Sequence, residues 1–317
     1  MCSKNLTERL DPEAEGIARA VEILLQGGLV AVPTETVYGL AARADSPEAV
    51  SRIYAAKGRP EFNPLIVHIR DVAMARRFAQ WDERAEKLAA RFWPGPLTMV
   101  LPLADGASLA PAVSAGLPTI ALRCPAHPVM QALIDQAGVP IAAPSANRSG
   151  FVSPTSAAHV LETLDGRIEA VLDGGPTERG LESTIVALRN FEMGGGWQLL
   201  RPGPITGEEL VAILGDESAA MTERIEAPGQ LSSHYAPGKP MRLEADAVER
   251  DEFLIGFGEI AGDCTLSAIG SLEEAGARLY DCLHQAVMSD KPCIAVAPIP
   301  DVGVGMAIND RLRRAAA

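Results

Sequence analysis

The chain has 317 residues, of which 47% are hydrophobic, and its formal net charge is −13. This length fits one large domain or two smaller ones, with enough apolar side chains for real cores. The acidic balance argues against a protein whose main task is gripping nucleic acid, because phosphate neutralisation needs clustered Lys and Arg.

The N-terminal segment, MCSKNLTERLDPEAEG, is polar and lacks the apolar core of a signal peptide. No later run approaches the roughly 18 apolar residues of a membrane span. We therefore expect a cytoplasmic protein without a membrane segment.

The first helix is predicted to begin at Asp11-Pro12, since Asp can cap a helix and Pro suits its first turn. Gly27-Gly28 is predicted to end it. Its apolar face, at helical spacing, consists of Ile17, Ala20, Val21 and Leu24.

Strands and helices then mix, without strict alternation, as far as about residue 205. Apolar runs predict strands at LVAVP, PLIVHI, LTMVLPL, PTIALRCP, VPIAAPSAN, AVLDGG, STIVAL and WQLLRPG. Periodic segments predict helices at PEAVSRIYAAKG, VAMARRFAQWDERAEKLAARFW (with a break near Trp81), HPVMQALIDQAG and SAAHVLETLDG. The mixture predicts an α/β domain with a mixed sheet.

The remainder divides into a linker and a second unit. A short helix, TGEELVAILG, precedes a stretch with little periodicity and several Pro and Gly. From Met241 onward, EFLIGFG, CTLSAIG and PCIAVAPI predict strands, and SLEEAGARLYDCLHQAVMSD and the C-terminal end predict helices. We expect a larger α/β domain over 13–205, a linker over 206–240, and a small Rossmann-like α/β domain over 241–317.

Motifs for covalent or metal chemistry are missing from the sequence. The five cysteines are scattered and show no C-x-x-C spacing, which does not suggest a zinc site or a disulfide framework. There is no G-x-S-x-G, H-E-x-x-H or Walker lysine motif, so no covalent nucleophile is predicted. GFGEIAG is a broken G-x-G-x-x-G and does not favour a dinucleotide site.

Polar residues instead follow the predicted strands. In open α/β sheets, ligands bind at these carboxyl ends of the strands. Thr34, Glu35 and Thr36 come directly after the strand LVAVP. The proline-bounded loop KGRPEFNP carries two cations suited to phosphate, and the apolar run after it contains a histidine.

The later strands add hydroxyls and arginines. Thr119 and Arg123 lie four apart and share one face of a strand. An arginine among apolar strand residues is costly to bury unless a carboxylate or a ligand pairs with it. The small-residue loop APSANRSG can expose backbone N–H groups to an anion. Ser183, Thr184 and Arg201 stand at further strand ends, and this set suits positioning chemistry on phosphates.

Seven motifs together resemble the YrdC-like family of threonylcarbamoyl-AMP synthases, in its longer two-domain form, over roughly residues 13–205. They occur in the family's order: VPTETVYGLAA, KGRPEFNPLIVHI, FWPGPLTMVL, PTIALRCP, PIAAPSANRSG, GLESTIV and LLRPGPI. The resemblance implies an α/β twist around a concave, positive cavity. It also implies synthesis of threonylcarbamoyl-AMP and pyrophosphate from L-threonine, bicarbonate or CO2, and ATP.

The resemblance further implies the roles of individual residues. Arg123 would pair with the threonine carboxylate. The threonine side would consist of Thr36, His68, Arg123, Ala143 (through its backbone) and Ser183. The ATP side would consist of Lys57, Arg59, Asn63, Thr119, Ser145, Ser153, Arg201 and Tyr235.

The implied reaction needs Mg2+ to offset charge, and no carboxylate set for it is visible, so we expect the ATP phosphates to hold the metal. The product would pass to a separate transferase complex that builds threonylcarbamoyladenosine in tRNAs reading codons that start with A. The chain departs from the family's usual basic or aromatic linker residues at Leu231, Ser232 and Ser233. We expect the linker to cover the cavity with weaker charge contacts to phosphate.

Two alternatives stay open at this point. One is a non-catalytic module that holds double-stranded RNA or tRNA in the positive cavity, against which the −13 charge counts. The other is an O-carbamoyl transferase related to hydrogenase maturation factors. Those proteins carry acylphosphatase-like and zinc-finger segments, and the cysteine spacing here excludes the fingers.

Overall fold

The computed structural model describes residues 6–189, 195–217, 226–230, 234–249 and 251–317. Within them the chain forms two sheets with helices packed against them. The first is a mixed sheet of ten strands, and the second is a parallel sheet of four. The predicted α/β class with a mixed sheet and a small second α/β unit is confirmed.

The large sheet provides the frame for the polar strand ends. Its strands are β1 (Glu8–Leu10), β2 (Val30–Val32), β3 (Gly39–Arg43), β4 (Ile66–His68), β5 (Leu97–Pro102), β6 (Thr119–Arg123), β7 (Ile141–Ala142), β8 (Ala170–Leu172), β9 (Thr184–Leu188) and β10 (Trp197–Arg201). Their order is β1-β8-β2-β3-β7-β4-β6-β5-β9-β10. The pairs β1–β8, β2–β8, β4–β6 and β5–β9 are parallel, and the others are antiparallel.

Helices lie on both faces of this sheet. They are α1 (Ala14–Leu25), α2 (Pro47–Lys57), α3 (Val72–Ala75), α4 (Glu83–Phe92), α5 (Pro128–Ala137), α6 (Ala157–Leu164) and α7 (Gly207–Leu214). Alternate residues of a strand point to opposite faces. Accordingly Val30 packs with α1 and α5, while its neighbour Ala31 packs with α2, α4 and α6. The sheet is therefore buried on both sides, and its polar chemistry is confined to strand ends.

Helix α2 shows how local sequence sets up the basic loop. The Ser46 side chain accepts a hydrogen bond from the Ala49 N–H, and Pro47 occupies the first turn. Gly58 ends the helix in the left-handed conformation, with φ of 61°. Lys57 is thus the last helical residue, and Arg59 begins the loop.

At the N-terminal edge of the sheet, one sequence expectation is wrong and one strand was missed. Helix α1 begins at Ala14 with Glu13 at its N-cap, and no side chain caps it. Asp11 instead continues from β1, whose Leu10 carbonyl accepts a hydrogen bond from the Asp173 N–H. Strand β1 was not predicted, because a segment of three residues is too short to show the alternation of polar and apolar residues that is typical of a strand.

Strand β3 was also not predicted, and it forms from Gly39–Arg43. Glycine and alanine have low strand propensity, so the letters GLAAR carry little signal. Pairing with β2 on one side and β7 on the other holds this segment extended. The predicted break near Trp81 is confirmed, since Asp82 caps the start of α4.

The second unit is built on strands β11 (Met241–Arg242), β12 (Glu252–Gly256), β13 (Cys264–Thr265) and β14 (Cys293–Val296), in the order β11-β14-β12-β13. Its helices are α8 (Leu272–Met288) and α9 (Val304–Ala316). After β12 the chain makes a tight turn with a Phe257–Ile260 bridge rather than entering a helix. This geometry lacks the strand–turn–helix of a dinucleotide loop.

One apolar cluster spans the two units, and the first unit has further apolar clusters of its own. The cluster of α8 and α9 also includes Val37, Val152 and Leu181 from the first unit and Tyr235 from the linker. The second unit is therefore packed directly behind the loops that carry the polar residues.

Among the described residues, no helix is long and apolar enough to cross a membrane.

Candidate active site

The carboxyl ends of β4 and β6 bring two predicted residues side by side. These strands are parallel, and their register places His68 opposite Arg123. Both side chains are buried. A pairing of strands more than 50 residues apart in sequence thus creates the centre of the site.

Arg123 is held by the loop after β2. Its Nη2 donates to Glu35 Oε1 at 2.6 Å, and its Nη1 donates to Thr36 Oγ1 at 2.9 Å. Its Nε donates to the Gly95 carbonyl at 3.3 Å. Burial by itself would raise the pKa of Glu35, but the charge and hydrogen bond of Arg123 outweigh burial and lower it. Glu35 is therefore the carboxylate partner that a buried strand arginine requires.

His68 is held neutral beside this pair. Burial, with a smaller contribution from the charge of Arg123, lowers its pKa to about 3. Its Nδ1 has no hydrogen-bond partner among the described residues. An uncharged ring with a free nitrogen can accept or donate a hydrogen bond to a ligand in the cavity.

The charged side chains of the basic loop after α2 are buried, although its sequence resembles that of a solvent-exposed turn. Lys57 Nζ donates to the carbonyls of Ser145, at 2.5 Å, and of Asn147. Arg59 donates to the carbonyl of Asn63 at 3.1 Å and to that of Pro64 at 2.8 Å. Burial first and their mutual repulsion second lower the pKa of Lys57 well below its usual range.

Arg201, at the end of β10, holds the segment before β9. Its Nη2 donates to the carbonyl and the hydroxyl oxygen of Ser183, at 2.8 and 3.1 Å. Its Nη1 reaches the carbonyl of Pro228 in the linker at 3.2 Å. Ser183 is further fixed by a 2.7 Å hydrogen bond with Thr98. Arg201 therefore ties the linker to the strand that carries Ser183.

Glu182 connects the cavity to the second unit. It accepts hydrogen bonds from Ser153 at 2.6 Å, from Tyr280 of α8 at 2.8 Å and from Arg311 of α9 at 2.9 Å. Burial would raise its pKa, but Arg311 and Arg201 lower it to about 2. Glu182 is therefore ionised, and its main charge partner comes from the C-terminal helix.

The linker forms the cover of the cavity. Pro228, Gly229, His234 and Tyr235 line it from above. The space left inside is about 40 Å³, which is room for about three water molecules. These linker residues therefore leave little free space in the cavity.

The structure brings most, but not all, of the predicted residues to the cavity. The residues that line it are Thr36, His68, Arg123, Ala143 and Ser183 from the threonine side and Arg59, Ser145, Arg201 and Tyr235 from the ATP side. The Ala143 N–H already donates to the Ile66 carbonyl, so its carbonyl is the group left for a ligand.

Four predicted ATP residues do not line the cavity. Lys57 supports the Ser145 loop, and the Asn63 carbonyl supports Arg59. Ser153 contacts Glu182 rather than the cavity space. Thr119 is the first residue of β6, about 13 Å along the strand from Arg123.

Several residues of the site were missed by sequence reasoning. Glu182 precedes the predicted Ser183, and Arg311 and Tyr280 lie in the second unit. The only sequence signal was Glu182 itself, a carboxylate in an apolar stretch, which needs a cation somewhere. Leu231, Ser232 and Ser233, where weaker phosphate contacts were expected, lie outside the described residues.

Two family models together match nearly all of the chain from residue 22 onward. The family described as "Telomere recombination", which groups Sua5, YciO and YrdC proteins, matches residues 22–203. The family described as "Threonylcarbamoyl-AMP synthase, C-terminal domain" matches residues 205–317.

Full-length relatives carry the same name. Threonylcarbamoyl-AMP synthase of Bacillus subtilis is 42% identical, over 98% of this chain and 96% of that protein. The crystal structure of Pyrococcus abyssi Sua5 complexed with L-threonine is 37% identical with a TM-score of 0.87, over 98% of this chain and 97% of that one. T. kodakarensis HypF shares only the fold, at 20% identity and a TM-score of 0.52 over 59% of this chain and 24% of that one.

Proposed function

The chain belongs to the two-domain threonylcarbamoyl-AMP synthases of the Sua5/YciO/YrdC family, and we propose that it joins L-threonine, bicarbonate or CO2, and ATP into threonylcarbamoyl-AMP and pyrophosphate. It is thus a nucleotidyltransferase, an enzyme that makes an AMP-linked intermediate. The comparisons do not favour a non-catalytic RNA-binding module.

The observation that carries the substrate assignment is that some of the buried cations are bonded to carboxylates and others are not. Among the described residues, the hydrogen bonds of Lys57, Arg59 and Arg201 go to neutral oxygens rather than to carboxylates. Burial lowers the pKa of Arg59 to about 10, and the nearby charge of Arg201 adds to this effect. Phosphate oxygens would supply the missing negative charge, and charge-assisted bonds in a buried site are strong.

The other side of the cavity suits an amino acid. A guanidinium has five N–H donors, and Arg123 uses one for each of Glu35, Thr36 and Gly95. The remaining N–H groups can bind the threonine carboxylate without breaking the pair with Glu35. Neutral His68 lies beside Arg123 and can hydrogen-bond the amino acid.

The reaction then follows from the positions of the two substrates on the two sides of the cavity. Bicarbonate takes up a proton and releases water to give CO2. The neutral amine of threonine attacks the carbon of CO2 and loses a proton, which gives a carbamate. A carbamate oxygen attacks the α-phosphorus of ATP, the bond from that phosphorus to the bridging oxygen breaks, and pyrophosphate leaves. Arg59 and Arg201 stabilise the charge that develops on the phosphates, and exclusion of water by the cover strengthens that effect.

We propose that Mg2+ enters as the complex with ATP. Glu182 is the carboxylate among the described residues lining the cavity, and its oxygens are already bonded to Ser153, Tyr280 and Arg311. It is not free to serve as a metal ligand, so phosphate oxygens and water would hold the ion.

We further propose that the product passes to a tRNA threonylcarbamoyl transferase complex. A mixed anhydride of a carbamate and AMP is reactive toward water, so transfer soon after release is chemically required. The acidic chain itself is suited to small-molecule substrates rather than to tight binding of tRNA.

The test is pyrophosphate release from MgATP and bicarbonate, with and without L-threonine. We expect release to depend on threonine and to be lost in Arg123→Ala. Arg59→Ala should instead raise the KM for ATP more than the KM for threonine, because it lies on the phosphate side. Circular dichroism checks that both variants are folded. Threonine-independent release, or none, in folded wild-type protein would refute the synthase assignment.

A further inference from the structure

Thr34 lines the catalytic cavity, yet the reaction described above gives it no task. It follows β2 closely, and its side chain is buried. Its hydroxyl oxygen lies 2.7 Å from the carbonyl of Val37 and 2.9 Å from the hydroxyl oxygen of Thr36. The backbone N–H groups of Thr36 and Val37 also donate to it, at 3.2 Å each. The loop that carries Thr36 is therefore folded around the Thr34 hydroxyl.

The single hydroxyl proton of Thr34 is used by the Val37 carbonyl. A carbonyl oxygen only accepts, so the 2.7 Å contact requires Thr34 to donate. The 2.9 Å contact between the two threonine hydroxyls also needs one proton, and Thr34 has none left for it. Thr36 is therefore the donor in that hydrogen bond, and Thr34 is the acceptor.

This hydrogen bond leaves Thr36 Oγ1 as an acceptor toward its other neighbours. One of its two lone pairs receives an N–H of Arg123 Nη1 at 2.9 Å. Among the described residues, Thr34 and Arg123 are its hydrogen-bond partners. Because Thr36 lines the cavity, its second lone pair is available to a ligand there.

We propose that Thr34 is a positioning residue for the amino group of the substrate: it holds the hydroxyl proton of Thr36 away from the cavity, so that Thr36 accepts an N–H of the amine. This inference rests on the proposed function, in which Arg123 binds the carboxylate of threonine. The α-amine is attached to the carbon next to that carboxylate, and Thr36 Oγ1 lies beside Arg123 Nη1. An amino acid held on Arg123 therefore presents its amine next to Thr36.

The proton arrangement determines which way round the amino acid binds. The substrate carboxylate has only acceptor oxygens, so it is repelled by the Thr36 lone pair and attracted by Arg123. The amine has N–H donors, which the Thr36 oxygen can accept. The nitrogen that attacks CO2 keeps one N–H in the carbamate, so this hydrogen bond can persist through that step while the nitrogen lone pair forms the new bond.

Replacing Thr34 with valine preserves the shape of the side chain and removes its oxygen. The Thr36 proton then loses its acceptor and can turn into the cavity, where it faces the N–H groups of the amine. We expect the affinity for L-threonine to fall roughly tenfold, which corresponds to one hydrogen bond to a charged group. The KM for ATP should not change, because the phosphate side of the cavity makes no use of this hydroxyl.

The experiment measures the Kd of the full-length protein for L-threonine by isothermal titration calorimetry. It compares wild type, Thr34→Val, Thr34→Ser and Thr177→Val. We expect a roughly tenfold higher Kd for Thr34→Val, and rescue in Thr34→Ser, which keeps the hydroxyl. Thr177 is the matched control: it is buried, its hydroxyl has no partner among the described residues, and it is not one of the residues that line the cavity.

A double-variant cycle separates this role from a purely structural one, since Thr34 also receives backbone N–H groups of its own loop. If Thr34 acts through the Thr36 hydroxyl, adding Thr34→Val to Thr36→Val should cause no further loss of affinity. A general loss of loop structure would instead weaken L-threonine binding by the same factor in both backgrounds.

Two results would overturn the proposal: an unchanged Kd in folded Thr34→Val, or an equal loss of affinity in the two backgrounds. If Thr34→Val does not fold, Thr34→Cys takes its place, because a thiol is only a weak acceptor. Equal Kd values for Thr34→Cys and Thr34→Ser would then contradict the role of the hydroxyl.

The calorimetric measurement also distinguishes this proposal from the proposed function, because it detects L-threonine without any reaction. A wild-type protein that binds L-threonine but releases no pyrophosphate would refute the synthase assignment alone. A wild-type protein that binds no L-threonine would overturn the role of Thr34 as well.

Discussion

His68 is buried at the end of β4 and stays neutral because burial disfavours its charged form. In the unfolded chain the same ring titrates near its ordinary pKa of 6.5. Below that pH the unfolded state therefore binds a proton that the folded state refuses. Buried histidines of this kind connect the chemistry of the site to the acid stability of the whole fold.

We predict that His68→Gln weakens the pH dependence of stability. The free energy of unfolding should fall as the pH drops from 6.5 toward about 3, the folded-state pKa of His68. One such group contributes a slope of up to about 1.4 kcal/mol per pH unit. Urea unfolding of wild type and His68→Gln across this window measures the slope.

His127→Gln is the matched control, because His127 is only half-buried and should change the slope less. His234, with a pKa lowered by burial to about 3, keeps a slope of the same sign in every variant. An identical slope in wild type and His68→Gln would contradict the prediction.

At the scale of elements, the cover depends on one glycine. Gly229 has φ of 85°, and a Cβ at this position would lie 2.9 Å from Arg201 Cδ and 2.9 Å from Tyr235 Oη. No other residue lets the linker backbone approach Arg201 this closely. The cover is therefore shaped by backbone as much as by side chains.

We predict that Gly229→Ala raises the KM for ATP while the fold persists. Gly238→Ala is the control: its φ is 73°, but nothing lies within 4 Å of the added Cβ. Both variants carry the cost of a left-handed alanine, about 1–2 kcal/mol. Only Gly229→Ala also pushes on Arg201 and Tyr235. Equal KM values for the two variants in the pyrophosphate assay would argue against a role for this contact.

Prediction of the elements from sequence depended on how much signal each segment carries. Helix α2 has a serine cap, a proline in its first turn and a glycine at its end, and all three are visible in the sequence. Strand β3 has none, because its small residues are extended only by pairing with β2 and β7. Segments held by partners distant in sequence are the ones that local patterns miss.

At the scale of the whole molecule, the second unit reaches the site through one buried ion pair. Arg311 of α9 is fully buried, and its Nε donates to Glu182 while its Nη2 donates to the Pro202 carbonyl at 3.0 Å. Its guanidinium also lies over the ring of Tyr235, 5.5 Å from the centroid. The C-terminal helix thus contacts the wall and the cover of the cavity at once.

We predict that Arg311→Met destabilises the protein by about 3–5 kcal/mol, because it leaves Glu182 buried without its main charge partner. Threonine-dependent pyrophosphate release should fall as well, since Glu182 adjoins Ser183. Arg313→Met, on the same helix but 60% exposed, is the control and should leave both unchanged. Urea unfolding and the pyrophosphate assay measure the two effects.

A double variant separates the pair from the rest of the network. Adding Glu182→Gln to Arg311→Met removes the unpaired buried charge. The losses of unfolding free energy in the two single variants should therefore sum to more than the loss in the double variant. Strict additivity would show that Arg311 stabilises the fold without acting on Glu182.

The sequence by itself determined the α/β class, the main helices and the polar strand ends that line the cavity. Those features are local: apolar periods, caps, and an arginine such as Arg123 that cannot be buried without a partner. Only the tertiary structure decided which partner each buried charge has. Glu35 and Arg123 are 88 residues apart, and Glu182 and Arg311 are 129 apart. Such pairs form because burial penalises any unpaired charge, and the sheet order decides which charges can meet.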